Sequence, residues 1–142
     1  MKCLNTRAKH IIQRLYEAMY HEPYMQAEGN YARISHNPEY MPVVIKRVGI
    51  LPEYGEIVSI AHYEFQNGDF MVAPEMEFTI VGGDYYPITF RNDYLEKNDT
   101  VFHEDGINLA LQADLTAFAN QWMQYIAIQQ NITPMFPDNQ LG

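Results

Sequence analysis

The sequence predicts an α+β fold: an antiparallel meander sheet of four to five strands, with an N-terminal and a C-terminal helix packed on one of its faces. Three observations carry this expectation. The stretch from Glu56 to Arg91 is rich in β-branched and aromatic residues and is divided by two turn signatures, Asn67-Gly68 and Gly82-Gly83-Asp84. Apolar residues near both ends of the chain recur at helical spacing. Each of those helices has one apolar face, so both bury it most simply against the same side of the sheet.

In chain order, a first helix occupies residues 1–22, capped by Asn5 or Thr6. Its stripe is Ala8, Ile11, Ile12, Leu15 and Met19, and Pro23 ends it. Tyr31 to Ser35 is a candidate short strand, and Asn37-Pro38 is a turn. The sheet is expected over residues 40–95. Met41 to Val48 reads as a strand in which Pro42 favours an edge or strand-start position, because proline cannot donate to a ladder. Glu56 to Gln66, Glu75 to Val81 and Tyr85 to Arg91 then follow as a meander. The second helix covers residues 105–130, capped by Asp105, with the stripe Ile107, Leu111, Leu115, Phe118, Trp122, Tyr125 and Ile126. Residues 131–142 read as a frayed tail. No repeat or linker divides the chain, so residues 1–142 form one domain of a size able to bury a real core.

Composition narrows the function classes. The net charge of −9 is unevenly distributed. Residues 1–47 hold seven Lys/Arg against four Asp/Glu, a balance of +3, and residues 48–142 hold two against fourteen, a balance of −12. A region so poor in cations repels nucleic-acid phosphates and steers toward a basic partner. Eleven tyrosines supply side chains that are apolar and hydrogen-bonding at once, a chemistry that suits half-buried sheet faces and protein interfaces alike. The single cysteine, Cys3, allows no intramolecular disulfide and no cysteine metal cluster. With no signal-like apolar run and no stretch of membrane-spanning length, a cytoplasmic protein without membrane contact is expected.

Strand alternation yields one constellation with possible chemistry. His62, Glu64 and Gln66 share one side of their strand, with Tyr63 and Phe65 on the other. Glu75 and Glu77 likewise oppose Met76, Phe78 and Ile80. If Asn67-Gly68 sets the hairpin, His62, Glu64, Glu75 and Glu77 fall on one polar face near Asp69. Three readings stay open for that face: a solvated surface, a divalent-metal site that activates water, or a partner-contact patch. The spacing matches no metal motif. Elsewhere, Gly82-Gly83-Asp84 lacks the lysine and helix of a phosphate loop, and Arg91-Asn92-Asp93 reads as a local pair and turn. No catalytic residue and no cofactor are expected. Because Tyr85 and Tyr86 are adjacent in a strand, one of them must point away from the helices. The expected contact surface is therefore Tyr63, Glu64, Asp69, Glu75, Glu77, Tyr94 and whichever of Tyr85 and Tyr86 faces outward.

The runs His62–Asp69, Pro74–Phe78, Tyr85–Pro87 and Phe90–Leu95, followed by Phe118–Trp122, resemble an uncharacterised domain family of conjugative plasmids, integrative elements and phages. The resemblance covers roughly the second half of the chain and brings no catalytic residues with it. It implies a mobile-element setting, in which small proteins often disable host defence. With the charge split, it leads to an expected inhibitor of a host defence nuclease, of the anti-CRISPR or antirestriction kind, acting by protein–protein binding. Two alternatives from other classes stand beside it. One is a metal-dependent enzyme built on His62, Glu64, Glu75 and Glu77. The other is an interaction module for an element-encoded replication or transfer protein.

Overall fold

A computed structural model describes residues 1–21 and 31–133. Six strands form one antiparallel sheet in simple sequential order: β1 (Tyr31–Ile34), β2 (Val43–Leu51), β3 (Gly55–Gln66), β4 (Asp69–Val81), β5 (Asp84–Asn92) and β6 (Lys97–Thr100). Helix α1 (Thr6–His21) precedes the sheet, and helix α2 (Leu109–Gln130) follows it. Between β6 and α2 lies a small ribbon of β7 (Phe102–His103) and β8 (Gly106–Ile107).

The meander is set by its turns. Asn67 and Gly68 take φ of 54° and 86°, and Gly82 and Gly83 take 60° and 84°. Positive φ at both central residues matches the natural twist of paired strands, so each turn joins its strands with two residues. Gly55 has a different role. A Cβ there would sit 2.0 Å from the Ile80 carbonyl oxygen, so only glycine lets β3 start this close to β4.

Both helices and one sheet face share a single core. From α1 come Ala8, Ile11, Ile12, Leu15 and Met19, the stripe expected from the sequence. From the sheet come Ile34, Val43, Ile45, Val58, Ile60, Met76, Phe78 and Ile88. Asn5 caps α1, its Oδ1 accepting from the Ala8 amide at 2.9 Å.

Three expectations are corrected. The sheet has six strands rather than four or five, and it spans residues 31–100 rather than 40–95. The missed strand, Lys97-Asn98-Asp99-Thr100, has no apolar residue; it forms because Asn92–Lys97 and its neighbours pair along the free edge of β5. Helix α2 starts at Leu109, capped by Asn108, whose Oδ1 accepts from the Leu111 amide at 3.0 Å. Asp105 instead lies in the turn joining β7 to β8. Finally, the buried face of α2 is Gln112, Leu115, Thr116, Ala119, Trp122, Met123, Ile126, Ala127 and Gln130, while Phe118 and Tyr125 are exposed. Asn131 ends α2 in the left-handed conformation; beyond Thr133 the expected tail lies outside the described residues.

The two buried glutamines show why hydropathy misread that helix. Gln112 accepts from the Lys2 amide at 2.7 Å and donates to the Lys2 and Pro87 carbonyls. Gln130 accepts from the His36 and Asn37 amides and donates to the Met41 carbonyl at 3.1 Å. Each satisfies backbone groups of a passing loop, which makes a buried amide affordable.

Candidate interaction surface

Alternation divides the sheet residues between two faces. Val43 and Ile45 of β2, Val58, Ile60 and His62 of β3, and Met76 and Phe78 of β4 point toward the helices. The opposite face carries the row Lys46, Ser59, Glu77 and Thr89, each paired with the next across four strands. Beside it runs a second row, Ala61, Glu75 and Arg91. Thr79 and Tyr86 pair further along, and neither helix covers this side.

Its centre is a hydrogen-bonded carboxylate group. Ser59 Oγ donates to Glu75 Oε2 at 2.7 Å, and Tyr63 Oη donates to the same oxygen at 3.5 Å. Thr89 Oγ1 donates to Glu77 Oε1 at 3.3 Å. Burial, and then the neighbouring Glu75 charge, push the Glu77 carboxyl above its ordinary value, while Thr89 and Lys46 pull it down. Burial and Glu75 together push the Tyr63 phenol up to about 12, so it stays a donor at neutral pH. Lys46 and Arg91 flank the two glutamates, so this centre is charge-balanced rather than uniformly acidic. The basic first third of the chain is also partly neutralised by the fold, with Lys9 Nζ 3.2 Å from Asp84 Oδ1.

The structure splits the residues expected to form one contact surface. Tyr63, Glu75, Glu77 and Tyr86 share the open face. Tyr85 points into the core and is 4% exposed, which answers which of the tyrosine pair faces outward. His62 is corrected most strongly. It is 6% exposed on the helix side, its ring edge-on to Trp122 at 5.7 Å and its Nδ1 3.1 Å from the Pro42 carbonyl oxygen. Burial lowers its pKa. The expected polar face of His62, Glu64, Glu75 and Glu77 therefore does not assemble, because Val58 and Ile60 fix the even-numbered residues of β3 as the core parity. Among the described residues, no group of three or more His, Cys, Asp or Glu side chains is placed to hold a metal ion.

Glu64, Asp69 and Tyr94 lie at a third place, the projecting end of the β3–β4 hairpin. Pairing of β2 with β3 stops at Val43↔His62, and pairing of β4 with β5 stops at Glu75↔Arg91. Beyond those points, among the described residues, Tyr63–Gln66 and Asp69–Val72 pair only with each other, as a two-stranded ribbon. The register slips between Ala61 and Tyr63, where Pro74 can offer no amide to the ladder. On one side of the ribbon Tyr63 stacks on Phe70 at 4.9 Å, and Phe65 meets Phe70 edge-on at 5.5 Å. Phe65 is 74% exposed and Phe70 52%. On the other side, Tyr94 donates a hydrogen bond to Glu64.

A short 3-10 turn, Asp93–Leu95, braces this end. Asn92 caps it, accepting from the Tyr94 and Leu95 amides. Asp93 holds the Arg91 guanidinium at 2.9 Å and accepts from the Val72 amide at 2.8 Å. Those bonds hold the Asp93 carboxyl below its ordinary value. The Arg91-Asn92-Asp93 run is thus the local pair and turn expected of it. The exposed aromatics Phe65 and Phe70 were missed as contact residues, because Phe65 was set opposite the side expected to be polar and Phe70 fell between the expected strands. The signal was present in Ser59, the polar residue that marks the odd-numbered parity as outward.

A family model for a domain of unknown function, DUF6908, matches residues 9–132. The chain belongs to that family. The match runs from within α1 to just past α2 and is consistent with an uncharacterised domain family. No curated protein and no solved structure matches the chain.

Proposed function

We propose that this chain acts by binding another protein through the open sheet face and the projecting hairpin, without catalysing a reaction. The observation that carries the reading is a six-stranded sheet with both helices on one side and tyrosines, glutamates and phenylalanines on the other. Tyr63 and Tyr86 are rigid, amphipathic anchors of the kind enriched at interfaces, and the carboxylates between them disfavour an acidic partner. Exposed carboxylates at the ribbon end, Glu64 and Asp69, extend that preference toward a basic protein surface. The specific form of the proposal is inhibition of a host defence nuclease, of the anti-CRISPR or antirestriction kind. It is supported by the resemblance to a mobile-element family and by the cation-poor residues 48–142, which mimic the sign of nucleic acid.

Surface-binding kinetics against guide-loaded CRISPR nucleases and restriction endonucleases test it, with DNA cleavage as the second readout. Association is expected to slow steeply as salt is raised. Reversing Glu75 and Glu77 to Lys should slow association, and Tyr86→Ala should speed dissociation. Circular dichroism serves as the folding control. Undiminished binding by the folded double-lysine variant would remove the open face from the contact. Binding to a replication or transfer protein of the same element, and to no nuclease, would replace the inhibitor by the interaction-module alternative.

A further inference from the structure

The geometry points to strand addition at the free edge of Tyr63–Gln66, with an extended peptide of alternating apolar and basic residues as the occupant. This rests on the protein-binding reading and names the kind of segment the partner would offer. The first observation is the edge itself. On the side of β3 that faces β2, the ladder ends at His62, and among the described residues no strand continues along Tyr63–Gln66. Folded proteins normally blunt such edges with charge, proline or a covering loop, because unpaired backbone groups template pairing with another chain. Here the edge carries Phe65, 74% exposed, and the residues from Glu64 to Phe70 are all exposed.

The second observation is a groove alongside that edge. A cavity of about 320 Å³ is lined by Arg33, Pro42, Val44, Tyr63, Phe65 and Phe70. It lies where β2 would have run had it begun earlier, and Pro42 turns the chain away there. Gln130 fixes that exit by holding the Met41 carbonyl. A strand laid along Tyr63–Gln66 would therefore continue the line of β2, and one of its side chains would enter the groove.

Charge and alternation then set the occupant. Successive residues of an added strand face opposite sides. On the groove side the neighbours are the aromatic and aliphatic groups of Pro42, Val44, Tyr63, Phe65 and Phe70, and the one charged residue, Arg33, repels a cation there. On the other side the neighbour is the Glu64 carboxylate, with Tyr94 donating to it. Apolar side chains on one side and Lys or Arg on the other complement both, and backbone hydrogen bonds supply affinity that does not depend on sequence. An acidic or a proline-rich segment fails on charge or on missing amides.

The test uses the full chain and three synthetic peptides: alternating valine–lysine, the same composition in two blocks, and the alternating peptide with every second amide N-methylated. Amide NMR and hydrogen exchange are the readouts. The alternating peptide should protect amides within Tyr63–Gln66 that β4 does not bind. Blocking the order or methylating the backbone should weaken binding about tenfold or more, as should Phe65→Ser and Glu64→Lys. Glu104→Lys, an equal charge reversal in the exposed β7–β8 turn, should leave peptide binding unchanged. Equal binding of all three peptides, or protection confined to other residues, would overturn strand addition. Protection of the same amides without peptide, rising with protein concentration, would show that the edge pairs with a second copy and would also overturn it. A nuclease that binds the open face while Tyr63–Gln66 stays unprotected leaves the functional reading standing and removes this one. Edge protection by peptide with no binding to any nuclease does the reverse.

Discussion

The β3–β4 hairpin has two halves built from similar residues in different surroundings. In the body, from Ile57 to Ala61 and Glu75 to Thr79, each strand has a further partner, and helices cover one face. At the tip, from Tyr63 to Gln66 and Asp69 to Val72, the two strands pair with no third strand among the described residues and are braced from one side by the Asp93–Leu95 turn. Both halves carry large aromatics, Phe78 in the body and Tyr63, Phe65 and Phe70 at the tip. Phe78 is fully buried, whereas Phe65 and Phe70 are exposed. The same residue type thus serves stability in one half and is free for recognition in the other. What differs is the number of layers around the strand.

The largest expected effect tests that contrast directly. Phe78→Ala removes a side chain with 0% exposure and leaves a cavity between the sheet and both helices. It should cost about 3–5 kcal/mol, seen in denaturant titration. Phe65→Ala removes an equally large ring from the tip and should change stability by no more than about 0.5 kcal/mol. Comparable losses from the two variants would show that the tip is packed in solution, and the contrast would break.

Much of this division could be read from the chain, and the parts that could not have physical reasons. Asn67-Gly68 and Gly82-Gly83 fixed both tight turns through their positive φ, and the α1 stripe fell on the core as its spacing required. The polarity of β3 was harder. Ile57, Ala61, Tyr63 and Phe65 on one parity look as apolar as Val58, Ile60 and His62 on the other, and a histidine looked more polar than a tyrosine. Trp122 and the Pro42 carbonyl reverse that order by giving His62 a dry, satisfied site. In α2 the buried glutamines work through loop backbones far away in sequence, Lys2 and Met41, which no local pattern announces. Strand β6 forms from pairing rather than propensity. The contact surface was legible as a set of residue types, but its division into open face, core and tip depended on parity.

A smaller effect sharpens the boundary between body and tip, which falls at His62. Its pKa lies below the ordinary 6.5 because burial disfavours the charged ring. When the chain unfolds, the imidazole returns to its ordinary value. Between the two values the unfolded state binds more protons, so stability rises with pH there and falls as the solution is acidified through about 6.5. Chemical denaturation from about pH 7 down to about pH 5, above the range of ordinary carboxylates, should show this slope in the native chain. His62→Gln keeps a hydrogen-bonding group without a proton to gain, and should flatten it. An unchanged slope in that variant would place His62 in contact with water, on the tip side of the boundary.

The smallest effect concerns Glu77, which lies in the body but on the open face. A carboxyl whose folded pKa is raised above its unfolded value binds more protons when folded, so its contribution falls as pH rises through 4.5. At neutral pH the ionised group is then a small burden on the fold, caused first by burial and second by the charge of Glu75. Glu77→Gln removes the charge and leaves an acceptor for the Thr89 hydroxyl. The variant should melt slightly higher than the native chain at pH 7, and the difference should vanish near pH 4. At the tip the same exchange at Glu64, an exposed position where the carboxylate accepts from Tyr94, should not raise the melting temperature. A glutamate kept on a half-buried sheet centre against a stability cost is what a binding surface would retain. If Glu77→Gln lowers the melting temperature at pH 7 instead, the carboxylate is structural, held by Lys46 and Thr89, and the case for the open face as a contact surface then rests on its tyrosines alone.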